Sequence, residues 1–292
     1  MKPFLKWVGG KFGLINQIHA FYPKDLPLKD LNYAEPFLGG GAMFFYLSSI
    51  TTIKSAILSD ISFDLINCYI CVKEEPFKLM EELDKLSIKY FEIEDKEAYF
   101  YDIRKAFNLK SYSNLVEAGA MFIFLNKTCF NGLFRMNSKK EFNTPFGFYK
   151  KPNFYDKENI LSCSKALEIA ELKVADFEEI TPLPNSFIYL DPPYKPISKT
   201  ASFNSYSGTV FNDEEQKRLA RYIKKLSVNN LILLSNSSPE GDFFNDLYQG
   251  FYINKIKAPR NINSVGTKRG KVEELLISNY NNYVKRSMEF DF

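Results

Sequence analysis

A glycine-rich turn follows an apolar run in Asn32-Tyr33-Ala34-Glu35-Pro36-Phe37-Leu38-Gly39-Gly40-Gly41-Ala42. The run before the turn predicts a strand, and the apolar residues 43–47 after it predict a helix. Glycine has no Cβ, so the backbone of such a turn can come close to a bound ligand. A strand that leads through a glycine-rich turn into a helix is typical of the ligand-binding part of a Rossmann-like α/β domain.

The next predicted strand, Ser55–Asp60, ends in an acid. An acid there can accept hydrogen bonds from the ribose hydroxyls of an adenosine-containing cofactor. The turn lacks the third glycine of G-x-G-x-x-G, because Phe44 stands in its place, and it lacks the G-x-x-x-x-G-K-[ST] of phosphate loops. We therefore expect a nucleoside cofactor without a pyrophosphate. The candidate residues around the turn and at the strand end are Glu35, Phe37, Gly39, Gly41 and Asp60. A glycine-rich turn without a ligand remains the alternative.

Further apolar runs with turn residues at their ends predict five more strands along the chain, with helical patterns between several of them. A helix is predicted at Asp213–Leu226 after an Asn212 cap. This alternation predicts an α/β fold with a largely parallel sheet. Segment 64–162 differs, since it is helix-like and then loop-rich and basic. We interpret it as an inserted domain, with residues 1–63 and 163–292 forming the catalytic domain. The five strands are Leu167–Ala175, Phe187–Leu190, Leu231–Ser235, Gly250–Ala258 and Val272–Tyr280.

The tetrapeptide Asp191-Pro192-Pro193-Tyr194 directly follows a predicted strand. Ligands in open α/β sheets bind at the carboxyl ends of strands. The Asp191 carboxylate and the Pro192 carbonyl can hold the two N–H bonds of an exocyclic amine and so direct its lone pair toward an electrophile. The two prolines keep these acceptors rigid, and Tyr194 can stack on a base. A Pro-Pro turn without a catalytic role is the alternative.

The histidine and cysteine content argues against several kinds of metal and catalytic site. His19 is the single histidine, so multi-histidine metal sites are excluded, and no G-x-S-x-G elbow accompanies it. Cys68 and Cys71 form a C-x-x-C in an apolar helical stretch, which favours buried thiols over zinc. We expect no metal. The first residues lack an apolar signal region, and no apolar run approaches the roughly 20 residues of a membrane span. We therefore expect a cytoplasmic protein that does not associate with membranes.

Charge is distributed unevenly, although the formal net charge is only +3. Residues 104–157 carry ten lysines and arginines against three acids, and residues 255–271 carry six and no acid. Residues 73–97 instead hold nine acids and five lysines. This pattern indicates a polarised surface with a face suited to the phosphates of nucleic acid. For either basic stretch alone, ordinary solvated charge is the alternative.

A hairpin is predicted within the basic insertion. Its strands would lie in Cys129–Asn137 and Glu141–Gly147, joined by a turn at residues 138–140. A basic hairpin can enter the major groove, where an arginine such as Arg135 can bind guanine O6 and N7. An ordinary surface hairpin is the alternative.

Together with Lys6-Trp7-Val8-Gly9-Gly10-Lys11, these segments resemble the Dam-like DNA adenine-N6 methyltransferases (D12 class, group alpha). That group has the chain order of cofactor motif, recognition domain and D-P-P-Y. The likeness extends to Cys129–Gly132 and to residues 142–143, 145–147, 196–203 and 272–280. One departure is Lys140, since members commonly carry glycine in this turn.

The resemblance implies a Rossmann-like, AdoMet-dependent methyltransferase that binds double-stranded DNA and acts on a flipped adenine in GATC. The implied AdoMet contacts are Trp7, Lys11, Asp60, Asp176, Phe177 and Asp191. Asp191 to Tyr194 would hold the adenine. The residues that would read bases are Lys6, Leu133, Arg135 and Pro145, and further DNA contacts are expected at Asn131, Asn137, Lys139 and Lys140.

Other functions stay open at this point. Methylation of cytosine N4, or of adenine in another sequence or in RNA, would use the same tetrapeptide, although cytosine-N4 enzymes more often carry serine in place of Asp191. A nicotinamide or flavin oxidoreductase is opposed by the missing third glycine. A DNA-binding protein without catalysis is opposed by the intact Asp191–Tyr194. Functional pairing with a restriction endonuclease is possible.

Overall fold

The computed structural model describes residues 1–7, 9–23, 26, 29–196, 211–259 and 271–281. Val8, residues 197–203 and the part of the second basic stretch at 260–270 therefore lie outside the described residues.

Seven strands form one mixed sheet in the order β3-β2-β1-β4-β5-β7-β6. Strands β1 to β5 pair in parallel, whereas β7 runs antiparallel to both β5 and β6. All seven predicted strands are present, and the α/β prediction is confirmed. The strands are β1 (Leu31–Glu35), β2 (Ile53–Asp60), β3 (Ala170–Val174), β4 (Ser186–Leu190), β5 (Leu231–Ser237), β6 (Tyr252–Pro259) and β7 (Lys271–Ser278).

The strand order reverses between β1 and β4. From β1 the chain continues outward through β2 and β3 on one side, while β4 pairs with the other side of β1. In open α/β sheets the crevice beyond the carboxyl ends of the strands at such a switch point is where ligands bind. Glu35 ends β1 and Asp191 follows β4, so both acids lie at this edge of the sheet.

Helices cover both faces of the sheet. On one face α8 buries Leu219 and Ile223 in a cluster with Ile188 and Ile232 of the sheet. Helix α8 begins after the Asn212 cap, as predicted, because the Asn212 side chain accepts bonds from the first-turn amides. The α-helices are α1 (Ile15–His19), α2 (Ala42–Ile50), α3 (Phe63–Glu74), α4 (Pro76–Glu92), α5 (Lys96–Asn108), α6 (Leu115–Thr128), α7 (Lys157–Leu167), α8 (Asp213–Leu226) and α9 (Phe243–Leu247).

On the other face, the segment at 64–162 packs on the sheet through its first helix, α3. Helix α3 packs against β2 and β3, while α6 packs against α3, α4 and α5. Buried residues of the sheet, α2, α3 and α6 belong to one continuous apolar cluster, which includes Phe44, Tyr69 and Phe124. The segment is therefore anchored to the sheet through a shared core.

The predicted hairpin is also present. An antiparallel bridge pairs Met136 with Phe142, and the Asn143 amide donates to the Arg135 carbonyl at 3.0 Å. In the part of the chain that the structure describes, no helix combines the length and the apolar character needed to cross a membrane.

Candidate active site

The Asp191 carboxylate lies at the carboxyl end of β4, whose five residues are all buried. Its Oδ1 is 3.1 Å from the ammonium of Lys11. Lys11 begins a short 3₁₀ helix at Lys11–Leu14, is only 5% exposed, and also donates to the Gly9 carbonyl at 2.8 Å. The N-terminal W-x-G-G-K motif and the D-P-P-Y motif, which are far apart in the sequence, therefore meet in one buried ion pair.

Tyr194 completes this cluster together with Glu274 of β7. The Tyr194 hydroxyl donates to Glu274 Oε2 at 2.8 Å. The Lys11 ammonium lies 3.9 Å from the same oxygen and 4.5 Å from the centre of the Tyr194 ring. Sequence reasoning assigned no role to Glu274. The one indication was its place in the Val272–Tyr280 stretch that resembles the family.

A buried polar clamp holds the backbone of the D-P-P-Y loop. Gln216 of α8 donates from Nε2 to the Pro193 carbonyl at 3.1 Å and accepts from Asn236 Nδ2 at 3.1 Å. Asn236 Oδ1 in turn accepts from the Lys195 amide, and the Ser237 hydroxyl donates to the Lys195 carbonyl at 2.6 Å. Sequence reasoning missed these residues. Two polar residues at the end of an apolar strand, β5, were the available indication.

Burial raises the pKa of Asp191 to about 6, although Lys11 opposes this shift by charge and by hydrogen bonding. The carboxyl of Glu35 is 2% exposed, and its burial raises its pKa to about 8. Glu35 Oε2 accepts from the Tyr33 hydroxyl at 2.8 Å and from the Phe44 amide at 3.1 Å. Near pH 7 the cluster therefore contains a neutral Glu35 beside a largely ionised Asp191.

The glycine-rich turn is left-handed at Gly39 (φ +48°) and Gly41 (φ +65°), a conformation that favours glycine. A Cβ on Gly39 would lie 2.7 Å from the Trp7 indole nitrogen, and one on Gly41 would lie 2.6 Å from the Tyr69 hydroxyl. The close neighbours of the turn are therefore protein side chains, and Trp7 packs directly on it.

The Asp60 side chain, at the end of β2, accepts a hydrogen bond from the backbone of the same turn. Its Oδ2 accepts from the Gly39 amide at 3.1 Å and its Oδ1 from the Ser62 amide at 3.0 Å. Burial raises its pKa, while these bonds oppose the shift. Ile61, directly after it, is 56% exposed and offers an apolar surface beside the carboxylate.

Asp176 and Phe177 lie after β3 and are joined by Arg218 of α8. The guanidinium binds Asp176 Oδ2 at 2.7 Å and stacks 4.4 Å above the Phe177 ring. Phe177 also packs against Phe37, with ring centres 5.4 Å apart. The predicted cofactor residues Phe37, Asp176 and Phe177 are therefore brought together, and Arg218 is the member that sequence reasoning missed.

Three of the predicted base-reading residues, Lys6, Leu133 and Pro145, lie around the turn at Gly132. Lys6 packs against the turn at Gly132, where a Cβ would meet its side chain at 2.6 Å. The Phe130 amide donates to the Pro145 carbonyl at 2.9 Å, which places Pro145 beside the same turn. Lys6 and Pro145 are exposed, Leu133 is half-buried, and Phe130 is 52% exposed.

Arg135 is exposed on the hairpin and is held by Asn143. Its Nε donates to Asn143 Oδ1 at 2.9 Å and its terminal amino group reaches the Asn143 carbonyl at 3.5 Å. The guanidinium is therefore oriented before any ligand binds.

Lys140, in the hairpin turn, adopts φ +61°, a left-handed conformation that is unusual for lysine. Asn137 stabilises this turn, since its Oδ1 accepts from the Lys139 and Glu141 amides. The Asn137 side chain is thus used in building the turn, while Lys139, Lys140 and Asn131 are exposed.

Comparison with known proteins identifies the family. Residues 7–262 match the model of the D12 class N6 adenine-specific DNA methyltransferases. This chain belongs to that family. The resemblance inferred from the sequence is confirmed, and the chain is an adenine-specific DNA methyltransferase.

Relatives of similar length support the assignment to the family. The chain is 44% identical over 287 residues to the Type II methyltransferase M.MjaIII of Methanocaldococcus jannaschii, covering 96% of this chain and 99% of that protein. It is 36% identical over 289 residues to the Type II methyltransferase M1.LlaDCHI of Lactococcus lactis, covering 97% and 96%. It is 37% identical over 277 residues to a DNA adenine methylase of Vibrio cholerae, covering 94% and 95%.

Proposed function

We propose that the protein transfers the methyl group of AdoMet to N6 of an adenine flipped out of duplex DNA, and that the adenine lies in GATC. The observation that carries the chemical part is the fixed D-P-P-Y loop. Asp191 is bound by Lys11, and the Pro193 carbonyl is bound by Gln216. The structure gives no donor to the Pro192 carbonyl within the described residues, and we propose this carbonyl as the acceptor of the second substrate N–H.

Adenine N6 is a weak nucleophile, and the two acceptors would make it more reactive. Its lone pair is delocalised into the ring, and bonds from its two hydrogens to Asp191 and to the Pro192 carbonyl favour a pyramidal nitrogen. Fixed acceptors need no reorganisation during the reaction. Tyr194 stacks on the base, and the ionised Asp191 accepts the proton that leaves N6.

AdoMet supplies a methyl group already activated on a sulfonium. The residues at the edge of the sheet fit this group. Asp60 keeps acceptor capacity for the ribose hydroxyls beside the exposed Ile61, and Phe37 and Phe177 form an apolar wall. This site would also be lined by the residues of the glycine-rich turn and its neighbours, namely Trp7, Glu35 and the left-handed Gly39 and Gly41. Asp176 and Lys11 complete the set.

Cofactor binding can be tested at Asp60. Asp60→Asn retains an acceptor for the Gly39 amide but loses the charge, so AdoMet affinity should fall roughly tenfold or more. Calorimetric titration measures this, with Asp64→Asn on α3 as the control. Equal affinities for wild type and Asp60→Asn would remove Asp60 from the cofactor site.

The location of the acceptors supports base flipping. Pro192 is buried and Asp191 is one-fifth exposed, so a base within the helical stack cannot reach them. A fluorescent base analogue at the target position should brighten when the protein binds, because the base loses its stacking. No brightening with a functional protein would exclude flipping.

We infer that residues 64–162 form the DNA-recognition unit inserted into a catalytic domain at 1–63 and 163–292. The support is the exposed region around Lys6, Leu133 and Pro145, together with Arg135 on the hairpin, at the positions expected from the family. Asn131, Asn137, Lys139 and Lys140 would contact the DNA nearby, the last two by phosphate binding. The names of the Type II relatives support pairing with a restriction endonuclease, and we expect the protein to act in the cytoplasm.

Radiolabel transfer from AdoMet tests the whole proposal. Duplexes containing GATC should be labelled, whereas duplexes with a single changed base should be labelled at least tenfold less. Asp191→Asn should fold and bind DNA but transfer almost no methyl. Label on cytosine, on RNA or equally on all duplexes would contradict the target, and a fully active Asp191→Asn would contradict the mechanism.

A further inference from the structure

Glu274 is a carboxylate at the edge of the active site to which the family motifs assign no function. It lies on β7, which pairs Glu274 with Ser237 of β5. Its side chain is 17% exposed, and its Oε2 meets both the Tyr194 hydroxyl and the Lys11 ammonium. A charged group this far from water requires partners, and both partners belong to the active site.

The alternation of β7 separates Glu274 from its neighbour Glu273. Successive side chains of a strand point to opposite faces. Glu273 is about half exposed and pairs with Lys255 at 2.8 Å, away from the site. The same strand thus carries one inward and one outward glutamate, which provides a matched comparison.

We propose that Glu274 is a positioning residue for methyl transfer. It fixes the Tyr194 ring through the hydroxyl and shares the Lys11 ammonium with Asp191, so that Lys11 does not neutralise Asp191 alone. This inference rests on the proposed role of Asp191 in the reaction.

The groups that face Asp191 come from several parts of the fold. Lys11 faces it from the 3₁₀ helix, Glu35 from β1, Tyr189 from β4, Tyr194 from its own loop and Glu274 from β7. Burial raises the pKa of Asp191, Lys11 and the Tyr194 hydroxyl lower it, and the charge of Glu274 raises it. Glu35 is neutral near pH 7 because its pKa is about 8, and burial raises the pKa of Tyr189 further above its ordinary value.

Two substitutions separate the two tasks of Glu274. Glu274→Gln keeps an acceptor for Tyr194 but removes the charge, so the pKa of Asp191 falls. In the pH profile of the single-turnover rate, the acidic limb should then move to lower pH by roughly one unit. Glu274→Asp keeps the charge but shortens the side chain away from Tyr194. It should lower the plateau rate several-fold while its acidic limb stays near that of the wild type.

Glu273→Gln is the control and should change neither the limb nor the plateau. AdoMet titration and thermal unfolding verify that each variant is folded. The inference is overturned by an unmoved limb in Glu274→Gln or by an equal shift in Glu273→Gln. If Glu274→Gln does not fold, an unchanged plateau in Glu274→Asp overturns the inference.

The wild-type measurement separates this inference from the proposed function. If the wild type transfers no methyl to any DNA, the proposed function fails. If it transfers methyl normally and Glu274→Gln has the wild-type pH profile, only the role of Glu274 fails.

Discussion

The ammonium of Lys11 lies 3.1 Å from the carboxylate of Asp191, and both side chains are largely withdrawn from solvent. Lys11 comes from the N-terminal segment, and Asp191 follows the fourth strand of the sheet. An acid in such a buried place ionises only with difficulty, so the nearby cation keeps the acceptor charged at neutral pH. The Lys11–Asp191 pair therefore links the N-terminal motif to the charge of the proposed acceptor.

Lys11→Met should raise the pKa of Asp191, because burial would act without its opposing charge. The reaction needs the ionised carboxylate, so the acidic limb of the rate should move to higher pH, by roughly one unit or more. Single-turnover transfer between about pH 5 and 9 measures this shift, which is opposite in sign to that of Glu274→Gln. Lys173→Met, on the edge strand β3, is the control. A limb that stays in place would show that Lys11 does not control the charge of Asp191.

Glu35 should make folding stability depend on pH. Its pKa is about 8 in the folded protein, above the ordinary value of 4.5, so the folded state retains a proton that the unfolded chain releases. The stability contributed by this proton is complete below about pH 4.5, and it is lost as the pH rises to about 8, by at most about 1.4 kcal/mol per pH unit.

Glu35→Gln mimics the neutral carboxyl and should remove this dependence. Urea unfolding at several pH values from about 5 to 8 should show the variant gaining stability relative to the wild type as the pH rises. The exposed Glu81→Gln on α4 is the control. Parallel stability curves for wild type and Glu35→Gln would mean that Glu35 is ionised in the folded state.

Gln216 should affect the rate more than cofactor affinity. Gln216→Leu leaves the Pro193 carbonyl and the Asn236 amide without their buried partner, which costs about 1–3 kcal/mol of stability for each group. A loop that moves by about 1 Å can lose roughly 100-fold in rate. We expect single-turnover transfer to fall about tenfold to 100-fold while the AdoMet Kd changes only a few-fold.

The exposed Arg221→Leu on the same helix is the control for this experiment. Rates should be measured at a temperature at which thermal unfolding shows each variant to be folded. If Gln216→Leu is fully folded and has the wild-type rate, the Gln216 side chain does not contribute to the rate of methyl transfer.

Local patterns were sufficient to predict the strands and α8, because an apolar run or a capped amphipathic helix depends on neighbouring residues. The third strand is shorter than predicted, since Leu167 ends α7 and β3 begins at Ala170. Leu167 is apolar, so the sequence pattern fits the end of a helix as well as the start of a strand. Asp191 was predicted from the D-P-P-Y motif at a strand end, whereas Lys11 was predicted only through the resemblance to the family.

Glu274, Gln216 and Arg218 could not be found in this way. Each acts through a contact between elements far apart in the chain, such as the 2.8 Å bond that joins Glu274 to Tyr194. A glutamate in an apolar strand or a glutamine on a helix carries no local indication of its partner. Trp7 was predicted as a cofactor residue, but its contact with Gly39 was not, because that contact depends on the folding of the N-terminal segment over the glycine-rich turn.

Arg135 should determine specificity at one base pair. Asn143 holds Arg135 through Nε and through one hydrogen of a terminal amino group, and the remaining N–H groups of the exposed guanidinium can donate to guanine O6 and N7. Such a bidentate pair discriminates by roughly 1–3 kcal/mol, which is about tenfold to more than 100-fold. Methylation of GATC and of all its single-base variants by Arg135→Ala should show a lower rate on GATC and relaxed preference at one position, while the other positions remain discriminated.

Two further variants distinguish base reading from general DNA affinity. Asn143→Ala frees the Arg135 side chain and should relax the same position to a smaller extent. Lys139→Ala with Lys140→Ala removes charge at the hairpin turn and should weaken binding to all sequences alike. For each lysine that neutralises a phosphate in the wild type, its removal should decrease the slope of log K against log salt by about 0.9. If Arg135→Ala instead behaved like the lysine variant, with a uniform loss of affinity over every duplex, Arg135 would be a phosphate-binding residue, and base reading would have to be assigned to Lys6, Leu133 or Pro145.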